Sequence, residues 1–138
     1  MTAQHVDVLV VGAGISGIDA GHHLKTFSPS RSFVLLEARA GIGGTWDLFR
    51  YPGIRSDSDM FSYAYDLRPW LKPEILASGG EILNYLDATI DEFGIRDKIR
   101  FGHRVESADW SSEAAAWRVT AVDETSGESR EFVARFLV

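Results

Sequence analysis

The most constraining feature of this sequence is a glycine-rich hexamer, Gly12–Gly17, with the spacing G-x-G-x-x-G. An apolar run from Val6 to Val11 precedes it, which is typical of a strand buried on both faces of a parallel sheet. The segment after it, to about Phe27, is suited to a helix, and a second apolar strand covers 33–36. This order predicts one βαβ unit, in which the hexamer turns the first strand into the helix.

The spacing of the hexamer suits a dinucleotide pyrophosphate. Gly12 permits the tight turn, Gly14 allows the phosphates to approach the backbone, and Gly17 allows the helix and strand to pack closely. The helix N-terminus then offers amide N–H groups and a positive dipole end to the phosphates. Glu37 follows the second strand, where its carboxylate can accept from both ribose hydroxyls of an adenosine and would repel a 2′-phosphate. We therefore predict FAD or NAD, rather than NADP, at this site.

A long irregular segment, 38–70, favours FAD over NAD. An NAD-binding domain typically continues into another helix soon after its ribose acid, whereas this chain continues into a second glycine cluster, Gly41–Gly44. The segment is rich in Gly, Asp, Ser and Arg, but its many aromatic residues argue against disorder. We expect it to be ordered against a ligand, with short helical turns within 57–65.

The remaining sequence predicts a helix followed by a β-meander. An amphipathic pattern predicts the helix over 79–93, and strand-like segments follow at 99–110, 116–123 and 130–138. The predicted fold class is therefore α/β, a Rossmann-like FAD-binding domain with a parallel sheet, helices and a three-stranded β-meander. Because the sequence ends within an apolar strand, we expect residues 1–138 to be the N-terminal part of a truncated domain.

Composition excludes several kinds of site. The chain contains no cysteine, which excludes disulfides, thiolate metal sites and nucleophilic cysteine catalysis. Its formal net charge of −6 argues against nucleic acid and anionic membranes as partners. The 4 histidines show no metal-binding spacing and are interpreted as structural. With no signal-peptide pattern and no apolar run of roughly 18–20 residues, we expect a soluble, cytoplasmic protein without an integral membrane segment.

Two motifs in the long segment, Gly43–Trp46 (GGTW) and Arg50–Gly53 (RYPG), are followed by Ser56-Asp57 and by Arg68-Pro69-Trp70. In these residues the chain resembles class B flavoprotein monooxygenases of the Baeyer–Villiger type, and within them the branch that contains ethionamide monooxygenase. The resemblance extends along essentially the whole chain. It implies an FAD cofactor, NADPH as co-substrate, and oxygenation of a ketone or a sulfide by the whole enzyme.

The resemblance also implies roles for individual residues. Those expected to bind FAD are Gly12, Ala13, Gly14, Ser16 and Gly17 at the pyrophosphate, Glu37 and Arg39 at the adenosine ribose, Gly44, Thr45 and Trp46 towards the ribityl–flavin portion, Asp57 beside the flavin, and Val105, through its backbone, at the adenine. Asp57 is also the one residue assigned to the catalytic site, as an acid that positions a catalytic arginine.

Several alternatives stay open from the sequence alone. Trp46 and Tyr51 could be core aromatics, Asp57 could be only a helix N-cap, and Arg50 and Arg55 could be solvated surface charges. The chain could also derive from an N- or S-oxygenating flavin monooxygenase, or be a non-catalytic module that binds FAD or ADP. The family's second glycine unit for NADPH and its catalytic arginine do not occur here. We therefore expect the NADPH domain and the C-terminal completion to be absent and the isolated chain to be inactive.

Overall fold

The fold is built on a six-stranded sheet, and the computed structural model describes residues 2–138. The elements in chain order are β1 (Gln4–Val11), α1 (Ile15–Phe27), β2 (Phe33–Leu36), α2 (Thr45–Leu48), α3 (Met60–Tyr63), α4 (Gly79–Glu92), β3 (Ile99–Arg100), β4 (His103–Ser111), β5 (Ala116–Asp123) and β6 (Ser129–Leu137). A 3-10 turn at Arg96–Lys98 precedes β3. The strand order in the sheet is β3-β2-β1-β6-β5-β4, and the predicted α/β, Rossmann-like class is confirmed.

The parallel half of the sheet lies between two hydrophobic layers. Strand β1 pairs in parallel with β2 on one side and with β6 on the other, and β2 pairs in parallel with β3. Helices cover one face, where Ile18 and Leu86 are fully buried, and the meander covers the other, where Val119 and Phe132 are buried. All four residues of β2 are buried, which explains why this strand reads as a continuous apolar run.

The meander joins the parallel sheet through its last strand. Strand β6 pairs antiparallel with β5 and parallel with β1, so the prediction that the last strand enters the parallel sheet is confirmed. The prediction of one strand over 99–110 is wrong, because the segment divides into β3 and β4. A turn at Phe101 and Gly102 separates them, and Gly102 has a φ of +67°, which favours glycine. The turn lets the chain leave β2 and pair with β5.

The two long helices begin in different ways. The predicted helix over 79–93 is confirmed as α4, which starts with a capping box: Ser78 Oγ accepts from the Glu81 N–H at 3.3 Å, and Glu81 Oε2 accepts from the Ser78 N–H at 2.9 Å. Helix α1 has Gly14 at its N-cap and no side-chain cap. Within residues 2–138, no helix combines the length and apolar character needed to cross a membrane.

His22 on α1 is fully buried, and within residues 2–138 neither ring nitrogen has a hydrogen-bond partner. Its ring centroid lies 3.7 Å from that of Phe93, at the end of α4, and 6.0 Å from that of Tyr65. Burial lowers the pKa of His22 below its ordinary value, because the imidazolium would lose its hydration there. Burial thus favours the neutral form of the ring, which has no hydrogen-bond partner among residues 2–138.

Replacing His22 with leucine is expected to raise the free energy of unfolding by about 1–2 kcal/mol, because a buried polar group without a partner is removed. The substitution should also reduce the dependence of the free energy of unfolding on pH. Because the pKa of His22 is lower in the folded chain, the unfolded chain binds a proton there more readily as the pH decreases through about 6.5, so wild-type stability falls. Urea denaturation at about pH 7.5 and about pH 5.5 measures both effects.

His23→Leu is the matched control for this substitution, since His23 is the next residue on α1 and its side chain is 53% exposed. It should leave the free energy of unfolding at the higher pH within about 0.5 kcal/mol of the wild-type value. A His22→Leu variant that is less stable than wild type at the higher pH would contradict the expectation.

Candidate functional site

Two glycine turns contact each other at the N-terminus of α1. The first follows β1, and the second precedes α2. The N–H of Gly43 donates to the carbonyl of Ala13 at 2.9 Å, which ties the turns together. A Cβ atom added to Gly44 would lie 3.2 Å from the Cα of Gly14, closer than ordinary van der Waals contact. The two backbones therefore approach so closely that a side chain at position 44 would press against Gly14.

A cleft of about 320 Å³ opens between these turns. Trp46 and Tyr63 form one wall, with the Trp46 Nε1–H donating to the Tyr63 hydroxyl oxygen at 3.0 Å. Tyr63 was missed by the sequence analysis, because it lies 17 residues from Trp46 and no periodicity links them. The predicted FAD contacts that line the cleft are Gly12, Gly14, Ser16, Gly17, Gly44, Thr45 and Trp46.

The N-terminus of α1 also opens into this cleft. Its first intrahelical bond runs from the Ile18 N–H to the Gly14 carbonyl at 3.0 Å, so the amides of residues 15–17 precede the helical ladder. No side chain of the described residues caps them, and the first turn contains no acidic residue that would repel an anion. The uncapped amides, the helix dipole and the glycine backbone together fit a dinucleotide pyrophosphate.

Glu37 connects the end of β2 to the first glycine turn. Its side chain is buried, with Oε1 accepting from the Ala13 N–H at 2.9 Å and Oε2 accepting from the Arg39 N–H at 2.8 Å. This structural role was not predicted from the sequence. Each carboxylate oxygen has a second lone pair, so the two amides leave acceptor capacity for a ribose. The ribose contact itself stays a prediction.

Strand β4, which contains Val105, begins beside Glu37. The N–H of His103, two residues before Val105, donates to the Glu37 carbonyl at 2.9 Å. Strand β4 is the last strand in the sheet order, so among the described residues only β5 pairs with it, and Val105 is opposite Ala121. This placement is compatible with a backbone contact to an adenine, which also stays a prediction.

Arg39 is bound by an acid that the sequence analysis did not single out. The Arg39 Nε–H donates to Asp47 Oδ2 at 3.0 Å, and an Arg50 NH2 group donates to Asp47 Oδ1 at 2.6 Å. These hydrogen bonds, above all the one from Arg39, hold the pKa of Asp47 below its usual range. Arg50 is therefore an exposed but paired charge, and the guanidinium of Arg39 lies against Asp47.

Two alternative interpretations from the sequence are wrong. The N-cap of α3 is Asp59, whose Oδ1 accepts from the Ser62 N–H at 2.9 Å, so Asp57 is not a helix cap. Tyr51 is 60% exposed and is not a core aromatic, because it begins a surface turn closed by the Ile54 N–H. Trp46 is half-buried and packs against the core while also lining the cleft.

Asp57 does not line the cleft between the glycine turns. It is exposed at the tip of a loop that is closed by the Ser56 hydroxyl, which donates to the Ser58 carbonyl at 2.9 Å. Its predicted position beside a flavin and its role in orienting an arginine stay predictions.

The fold and the cleft can be compared with those of known proteins. Residues 10–68 match the family described as NAD(P)-binding Rossmann-like domain. The FAD-containing monooxygenase EthA of Mycolicibacterium smegmatis is 49% identical over 134 residues, which cover 97% of this chain and 27% of that protein. A solved oxidized steroid monooxygenase bound to NADP has a TM-score of 0.85 and 39% identity, covering 97% of this chain and 25% of that chain.

A second solved structure, an OTEMO complex with FAD and NADP, has a TM-score of 0.82 and 30% identity, covering 99% of this chain and 25% of that chain. This chain thus spans about a quarter of the length of the relatives that it matches. The chain therefore matches FAD-containing monooxygenases along nearly its whole length, and the resemblance to Baeyer–Villiger-type flavoprotein monooxygenases that its motifs predict is confirmed.

Proposed function

We propose that residues 1–138 form the FAD-binding part of an NADPH-dependent flavin monooxygenase. The observation that carries this proposal is the cleft between two glycine turns at the uncapped N-terminus of α1. FAD is favoured over NAD because relatives that match nearly the whole chain are named FAD-containing monooxygenases. FAD, when bound, supplies the redox chemistry between NADPH, O2 and the substrate.

The residues of the chain bind and orient the cofactor in this proposal. The amides of residues 15–17 donate to the pyrophosphate, and the glycine backbones allow it to approach. Glu37 accepts from the adenosine ribose, and the Val105 backbone contacts the adenine. Trp46 and Tyr63, joined by their hydrogen bond, form the wall towards the ribityl chain.

The proposed substrate and reaction concern the whole monooxygenase, of which residues 1–138 would be one part. We propose oxygenation of a ketone or a sulfide, supported by the similarity to a steroid monooxygenase and to cyclohexanone monooxygenases. The exposed carboxylate of Asp57 is accessible to an arginine from outside these residues, which it would position beside the flavin. Residues 1–138 alone would bind the cofactor without turnover.

Binding by the purified chain tests this proposal. FAD and ADP are each expected to raise the thermal unfolding midpoint, with a stabilisation of about 2.7 kcal/mol at a ligand concentration of about 100 Kd. FMN, which lacks the adenylate, should give a much smaller shift. Flavin absorbance that stays with the protein after gel filtration is the second measurement. If neither FAD nor ADP stabilises the chain, the proposal is wrong; equal stabilisation would limit recognition to the adenylate half.

A further inference from the structure

Asp47 binds two arginines, Arg39 and Arg50, which flank the second glycine turn in sequence. Its carboxylate accepts from Arg39 through Oδ2, where Nε and an NH2 group lie 3.0 and 2.9 Å away, and from Arg50 through Oδ1 at 2.6 Å. The Asp47 carbonyl also accepts from the Arg50 Nε–H at 2.9 Å. The planar guanidinium of Arg39 is thus bound along one edge, a geometry that fixes its direction.

Asp47 is itself held in place. Its side chain is only 19% exposed, and it packs against the second glycine turn: a Cβ added to Gly43 would lie 3.5 Å from the Asp47 Cβ. A Cβ added to Gly41 would lie 3.7 Å from its carboxylate oxygens. An asparagine has nearly the same shape, so it can replace Asp47 without altering this packing.

The backbone of Arg39 lies at the ribose acid, although its guanidinium does not. The Arg39 N–H is 2.8 Å from Glu37 Oε2. In dinucleotide-binding sites an arginine near the ribose acid is the residue that accommodates a 2′-phosphate. Glu37, Asp47, Arg39 and Arg50 together carry no net charge, which leaves no excess positive charge for an additional phosphate at the ribose.

We propose that Asp47 determines the ribose specificity of this site by holding Arg39 away from the 2′-position. With Arg39 bound to Asp47, the ribose meets the carboxylate of Glu37 alone, which favours a free 2′-hydroxyl and disfavours a 2′-phosphate. Loss of the Asp47 charge releases Arg39 and leaves the cluster with one excess positive charge. This inference rests on the proposed binding of an adenosine dinucleotide at the same turn.

Calorimetric titration with NAD and NADP, which differ only in the 2′-phosphate, tests the inference, with ADP as the reference ligand. Wild type should bind NAD at least about tenfold more tightly than NADP. Asp47→Asn should reduce this ratio by about fivefold, since a guanidinium–phosphate contact becomes available. The double variant Asp47→Asn/Arg39→Gln should restore the wild-type ratio. The matched control, Asp47→Asn/Arg50→Gln, has the same net charge as the first double variant but keeps Arg39, so it should keep the reduced ratio.

Each result decides the inference. It is overturned if Asp47→Asn keeps the wild-type ratio while still binding ADP, or if the double variant keeps the gain, because the gain would then not depend on Arg39. A loss of NADP affinity in the single variant Arg39→Gln would also overturn it, because Arg39 would then reach the ribose while Asp47 is unchanged. Wild type that binds neither ADP nor NAD would overturn the proposed function as well.

Discussion

Gly17→Ala is expected to destabilise the folded chain by about 3 kcal/mol and to abolish FAD binding. A Cβ atom at position 17 would lie 2.0 Å from the carbonyl oxygen of Gly12 and 2.9 Å from its carbonyl carbon. Both atoms belong to the backbone of the first glycine turn, so no side-chain rotation relieves the overlap. The turn and the N-terminus of α1 must separate, which moves the amides that would bind the pyrophosphate.

Gly80→Ala is the matched control, because Gly80 also lies in the first turn of a helix and a Cβ there meets nothing within 4 Å. It should leave the stability unchanged or raise it by up to about 1 kcal/mol, since alanine is the better helix former. Urea denaturation and FAD titration of the three proteins measure both effects. Wild-type stability and FAD affinity in Gly17→Ala would show that the close contact between helix and turn is not required.

The βαβ unit could be predicted from the sequence because its signals are local. The end of α1 at Phe27 follows from the Ser28-Pro29 sequence, and the four buried residues of β2 follow from an uninterrupted apolar run. The glycine spacing depends only on neighbouring residues, so the turn could be predicted together with the cleft residues Gly12, Gly14 and Gly17. The cleft residues Gly44, Thr45 and Trp46 were predicted only from the family resemblance.

Features that depend on the path of the long segment could not be predicted. Helix α2 has only four residues, and no periodicity marks it. The ion pair between Arg39 and Asp47 and the hydrogen bond between Trp46 and Tyr63 arise because the segment folds back against the first turn. A sequence pattern marks each of these residues separately and does not indicate which pairs are in contact.

The division of the predicted strand over 99–110 has a related cause. The whole segment has strand-like composition, but β3 completes the parallel pairing with β2, whereas β4 pairs with β5. Only the packing of the meander onto the sheet requires the chain to change partner at Gly102. The positive φ of Gly102 is therefore a local feature that the tertiary packing requires.

Glu37→Gln is expected to lower the free energy of unfolding by about 1–3 kcal/mol and to weaken ADP binding about tenfold or more. The carboxylate accepts from two backbone N–H groups, those of Ala13 and Arg39, at a buried position. A glutamine oxygen can accept from one of them, but its NH2 group would then face the other donor. The same substitution removes the charge that would bind the ribose hydroxyls.

Glu81→Gln is the control for the first of these effects. Glu81 also accepts from a backbone N–H, that of Ser78 at 2.9 Å, but in an exposed capping box, where water can satisfy the amide. Glu81→Gln should lower the free energy of unfolding by less than about 1 kcal/mol and leave ADP binding unchanged. Urea denaturation and calorimetry with ADP separate the two roles of Glu37. If Glu37→Gln has wild-type stability and only ADP binding falls, the carboxylate serves the ligand alone. If only stability falls, Glu37 supports the turn without contacting the ribose, because its two amide contacts then account for its burial in full.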